Sequence, residues 1–161
     1  MAGRALTQLN WAHLVSMRPR PPRTGIAYLA VHFVVYMLAL GLIFLIYRTK
    51  ERGLLIAPPI GLLCAAATWY LLGDTLVDET RRRFLAVGVG LVLAELTWAF
   101  GYWSAVPLVG SAALWLGLYV LSGVVEASAS GTLDKRTALE YAFVAAVGSI
   151  VVVAASRPWS T

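Results

Sequence analysis

The sequence predicts an all-α integral membrane bundle of five transmembrane helices with a short interfacial N-terminal segment. Three observations carry that prediction. The 161 residues are 60% hydrophobic and only 13% charged, with a mean hydropathy of +0.76, too apolar for a water-soluble domain of this length. The apolar residues fall into five runs, each close to the roughly 20 residues that cross a bilayer as a helix. Charged residues gather between the runs, and only Glu95 stands in the middle of one.

Residues 1–25 form a basic, proline-rich segment. Trp11, Leu14, Val15 and Met17 alternate with polar residues as in a short interfacial helix, and Arg18-Pro19-Arg20-Pro21-Pro22-Arg23 ends it. Each proline ring removes an amide donor, so this run reads as a stiff basic tether at the lipid surface rather than a polyproline ligand. The transmembrane domain covers 26–155, with spans expected at about 26–47, 54–73, 84–103, 106–125 and 137–155. In the first span His32 stands four residues from both Tyr28 and Tyr36, so the three share a helix face. The charged loop 48–52 is short enough to make spans one and two antiparallel neighbours. Pro58 and Pro59 are expected near the first turn of the second span, and Gly61 and Ala65 form a small-residue pair suited to close helix contact.

Asp74, Asp78 and Glu79 make the one acidic cluster, followed by Arg81, Arg82 and Arg83. Aspartates four apart at a membrane surface resemble half of a magnesium-diphosphate site, but no second acidic motif accompanies them, and the arginines answer the charge locally. The third span runs from there to Tyr102 and Trp103, and a tight turn to Pro107 makes spans three and four a hairpin. The fourth carries a polar and aromatic stripe, Ser111, Trp115, Tyr119 and Ser122, with Glu126 at its end. A loop of small polar residues is expected from Glu126 to Arg136. Ala138, Ala142, Ala146 and Ser149 give the fifth span a smooth face, and residues 156–161, with Arg157 and Trp159, read as a C-terminal interfacial anchor.

Basic residues set the expected orientation. Arg4, Arg18, Arg20, Arg23, Arg81, Arg82, Arg83, Lys135 and Arg136 lie on one side, against Arg48, Lys50, Arg52 and Arg157 on the other. The richer side is read as cytoplasmic, giving a multi-pass protein of the bacterial cytoplasmic membrane with its N-terminus inside and its C-terminus outside. The net charge of +5 follows the same pattern: Arg18, Arg20, Arg23, Arg81, Arg82 and Arg83 are placed to meet lipid head groups, and nucleic acid is not an expected partner. Cys64 is the only cysteine, so an internal disulfide is excluded.

A carboxylate at the bilayer centre must be protonated, paired or wet, which makes Glu95 the leading candidate for a functional group. Trp98 and Tyr102 share its face, and Trp115 and Tyr119 lie at similar depth across the hairpin, with the Trp115 indole N–H as the expected donor to Glu95. An acid among aromatics suits an organic cation or a proton-coupled step, and equally a structural hydrogen bond that fixes helix register. Tyr28, His32 and Tyr36 form a secondary candidate. No metal motif, phosphate loop or nucleophile with its base is present, so neither catalytic residues nor cofactors are predicted.

Glu95-Leu96-Thr97-Trp98, Leu114-Trp115-Leu116-Gly117-Leu118-Tyr119-Val120 and Leu139-Glu140-Tyr141 resemble stretches of uncharacterised bacterial polytopic membrane proteins grouped as a domain of unknown function. That resemblance implies a membrane bundle and no activity. The expected function is a non-catalytic accessory or scaffold subunit, partnered by the bilayer and by other membrane subunits or copies of itself. The alternative is a small proton- or cation-coupled transporter or ligand-binding protein built on Glu95, ahead of a lipid-modifying enzyme.

Overall fold

The computed structural model describes residues 25–49, 53–75, 77–103 and 106–156, and among them there are five long helices: α1 (Ile26–Arg48), α2 (Gly53–Leu71), α3 (Glu79–Phe100), α4 (Pro107–Ala129) and α5 (Lys135–Ser156). All five are long and apolar enough to cross a membrane. The interfacial helix expected before Thr24, Arg18, Arg20 and Arg23, and the anchor at Arg157 to Trp159 lie outside the described residues.

The element boundaries differ from expectation where helices continue through polar sequence. α3 begins at Glu79, so Arg81, Arg82 and Arg83 ride on its first turns instead of preceding it. Pro58 and Pro59 fall in the second turn of α2, whose start at Gly53 puts them beyond the amides that need no partner. They withdraw hydrogen bonds from the carbonyls of Leu54 and Leu55, both exposed. α4 runs on to Ala129, which makes Glu126 a helical residue and not the start of a loop. It stops in a Schellman turn: Gly131, at φ 69°, donates to the Ser128 carbonyl at 3.3 Å, and Thr132 donates to that of Ala127 at 2.9 Å.

Helices α1 to α4 pack as a ring of antiparallel neighbours, each touching the next, with α4 closing back on α1 and also reaching α2. Fully buried Ile43, Ile60, Cys64, Leu93, Leu114 and Leu118 fill the centre. In lipid the drive for this assembly is close packing rather than exclusion of water, and the small residues show it. A Cβ placed on Gly61 would stand 2.8 Å from the Cβ of Ala94, and one on Gly90 would stand 2.6 Å from the Gly61 carbonyl oxygen. Farther along the same seam Gly53 meets Gly101 backbone to backbone. The Gly61 and Ala65 pair therefore makes the α2/α3 seam, the most extensive contact in the fold.

α5 stands outside the ring, packed on α4, and none of its residues is buried. Glycines on α4 accept bulky side chains from its neighbours: the Tyr47 ring of α1 lies over Gly110, and the Tyr141 ring of α5 lies over Gly123. Asp134 caps α5, its carboxylate accepting from the Thr137 amide at 2.7 Å, and that bond holds the carboxyl below its ordinary value. A lowered value means the cap is fully formed above the ordinary aspartate range and is lost as the pH falls through the lowered one. Amide exchange at Thr137 should therefore speed up in acid relative to the middle of α5, and Asp134→Ala should show the fast rate at every pH. Equal protection in the variant and the parent at neutral pH would remove the cap.

Candidate functional site

The Glu95 site expected from the sequence does not assemble. α3 buries the face that carries Ala86, Val89, Gly90, Leu93 and Thr97, which turns Glu95 to the outside of the bundle, with Trp98 50% and Tyr102 80% exposed. Trp98 and Tyr102 stack edge-on with each other. Trp115 and Tyr119 face α1 instead, and the Trp115 indole donates to the Tyr36 carbonyl at 2.9 Å, not to Glu95. The reason is angular. Glu95 and the residues that seal α2 against α3 lie on opposite faces of one helix, and the glycine seam wins the inner face.

The polar groups that do meet are the secondary candidate and the α4 stripe. Tyr28, His32 and Tyr36 project from one face of α1, and Trp115, Tyr119, Ser122 and Glu126 from one face of the antiparallel α4, so the two rows zip together. The Tyr28 hydroxyl donates to Glu126 Oε1 at 2.5 Å. The Tyr36 hydroxyl and Ser122 Oγ are 2.9 Å apart, and Ser122 itself donates back to the Leu118 carbonyl. Tyr36 also contacts the Tyr119 ring at 5.5 Å, and Tyr119 contacts Tyr141 at 6.2 Å, which carries the aromatic row across to α5.

His32 and Glu126 form the chemically distinctive pair. His32 Nδ1 lies 3.1 Å from the Tyr28 carbonyl, an acceptor only, so that nitrogen carries a hydrogen. The other ring nitrogen, Nε2, is buried without a hydrogen-bond partner and faces Glu126 Oε1 at 3.7 Å. Tyr28 and His32 of α1 thus both turn toward the same carboxylate oxygen of α4.

This pair lines a cleft of about 750 Å³ between α1, α4 and α5. Its walls include Tyr28, Tyr36, Tyr119 and Tyr141, and Ser130, Thr132 and Thr137 rim the end where α1 begins and α4 stops. Glu126 was missed as a site residue because the sequence places it at a helix end; the usable signal was its register with Ser122 and Tyr119. A second cleft, of about 540 Å³, flanks the other side of α5 and is lined almost wholly by apolar residues of α3, α4 and α5, including Leu96, Phe100, Leu116 and Val152.

Of the arginines read as head-group contacts, the three described ones do not behave alike. Arg81 and Arg83 are exposed, whereas Arg82 folds back over Trp69, its guanidinium 4.6 Å from the ring centre and its Nε donating to the Trp69 carbonyl at 2.8 Å. It satisfies a carbonyl at the end of α2 that has no helical partner. Glu79 pairs with Arg83 at 3.1 Å and Arg82 at 3.5 Å, so this acid is answered by its own arginines. Among the described residues no group of three His, Cys, Asp or Glu side chains is placed to hold a metal ion.

Fold and site together define a small multi-pass helical membrane protein with a tyrosine-lined polar cleft at one end of the bundle. The chain belongs to the family described as Protein of unknown function (DUF5656), whose model matches residues 1–155. Neither a curated protein nor a solved structure matches it.

Proposed function

We propose that this is a non-catalytic, ligand-binding membrane protein that takes an organic ammonium group in the cleft between α1, α4 and α5, seated against Glu126. The observation that supports it most is the single carboxylate, Glu126, in the lining of a cleft walled by tyrosine rings. A carboxylate supplies charge and the ring faces supply the cation–π attraction that an alkylammonium needs. By the basic-residue count the cleft opens on the cytoplasmic side of a bacterial inner membrane, with the N-terminus inside.

The test is calorimetry with tetramethylammonium, choline and ethanolamine on the purified full chain in nanodiscs. Glu126→Gln should weaken binding about tenfold or more while leaving the helical circular dichroism unchanged. Parent protein that binds none of the three, or a variant that binds as tightly as the parent, would discard the reading.

A second reading, an accessory subunit, is favoured by α5. A helix with no buried residue adds little to the ring it leans on, and it offers a long apolar face to another membrane protein. Intact-mass measurement after mild extraction separates the two: a stoichiometric complex with other chains supports the subunit, and a lone chain or homo-oligomer leaves the ligand reading.

A further inference from the structure

Independently of the cleft, the geometry points to the outer face of α3 as the seam of a homodimer, closed by a hydrogen-bonded pair of Glu95 side chains. Gly88, Leu91, Glu95 and Trp98 follow the spacing of a seven-residue repeat down this face, and all four are exposed. Glu95 lies roughly 16 Å along the helix from Phe84 and about 8 Å before its end at Phe100, well inside the hydrocarbon. Among the described residues it has no hydrogen-bond or ion-pair partner. A carboxyl group in that position is costly against lipid and must be met by a donor at the same depth.

The described spans carry no lysine or arginine facing outward at that depth, and the group that a second copy brings to the same depth on this face is its own Glu95. That suffices. A two-fold axis along the membrane normal sets α3 parallel to its mate and puts the two glutamates opposite each other at equal depth. Once protonated, each carboxyl has one O–H to donate and one carbonyl oxygen to accept, so the pair is self-complementary. Gly88 supports the same seam. Among the described residues a Cβ there would meet nothing within 4 Å, so the glycine serves no packing among them, yet it occupies the repeat position two turns from Glu95 and lets two helices approach. One polar group in an apolar repeat also fixes register, which leaves the two copies a single alignment.

The experiment uses the full chain in lipid vesicles, with Cys64, which is buried, changed to Ser. Leu91→Cys on the seam should crosslink copies under mild oxidation, and Phe143→Cys, equally exposed but on α5, should not. The dimer fraction is then followed by energy transfer between labelled chains as lipid dilutes them. Glu95→Gln keeps a donor and an acceptor and should dimerise within about threefold of the parent, whereas Glu95→Leu and Gly88→Leu should each weaken dimerisation by about tenfold or more. A monomer at all dilutions, crosslinking through residue 143 and not 91, or unchanged dimerisation of Glu95→Leu would each overturn the proposal. So would a one-to-one complex with a different protein that brings a basic residue to Glu95.

Discussion

Replacing Gly90 by Val should lower the stability of the folded bundle by about 3 kcal/mol, the upper end of the range for overpacked cores. The Cβ alone would stand 2.6 Å from the Gly61 carbonyl oxygen and 2.7 Å from the Ala65 Cβ. The first of these is backbone, which no side-chain rotation can move aside. α2 and α3 must separate, and separation weakens contacts along the whole seam from Gly53 to Gly101. Gly41→Ala is the control. A Cβ at that position meets nothing within 4 Å, so the substitution should be neutral or stabilise by up to roughly 1 kcal/mol through helix propensity. Thermal or denaturant unfolding in detergent, followed by circular dichroism, reads both. Equal midpoints for Gly90→Val and Gly41→Ala would mean that α2 and α3 are not in close contact.

Trp115→Ala should cost about 3 kcal/mol and also open the cleft. Trp115 bridges α1 and α4 with an indole N–H to the Tyr36 carbonyl at 2.9 Å, and its ring lies 6.5 Å from that of Tyr36 and 6.3 Å from that of Tyr119. Removing it frees two of the four tyrosines that wall the site. Trp115→Phe keeps most of the ring and deletes the donor, which in membrane helices costs about 1 kcal/mol. The pair of variants separates packing from hydrogen bonding. If ammonium binding is the function, Trp115→Ala should lose affinity along with stability, while Trp115→Phe should retain affinity. A Trp115→Ala protein as stable as the parent would show that α1 and α4 do not meet at this residue. The same comparison for Glu95→Gln carries no expected loss of binding, because Glu95 is on another face.

Much of the architecture was legible in the chain because lipid imposes it. A membrane-spanning backbone must satisfy its own polar groups, so five apolar runs bounded by charge could only be five helices, and the short links could only join antiparallel neighbours. The faces of the helices were legible too: Tyr28, His32 and Tyr36 on one, Ser111 to Glu126 on another, and the small pair Gly61 and Ala65 on a third, each from 3.6-residue spacing alone. Helix ends were less so. Glu79 to Arg83 and Glu126 to Ala129 read as loop from their polarity, but polar residues extend a helix freely once it leaves the hydrocarbon, and only the Schellman turn at Gly131 stops α4.

Which face meets which was decided by the tertiary structure. The sequence paired Trp115 with Glu95 because the two lie at similar depth across the hairpin, but depth does not say which neighbour the indole faces. The choice was made by rotation of each helix about its axis. Gly90 and Gly61 draw the inner face of α3 onto α2, which sends Glu95 outward, and the row from Trp115 to Glu126 then turns to α1, where His32 and Tyr28 complete it. Periodicity fixes what shares a face within one helix. Close packing among all of them fixes where that face points, and that is a property no single helix carries.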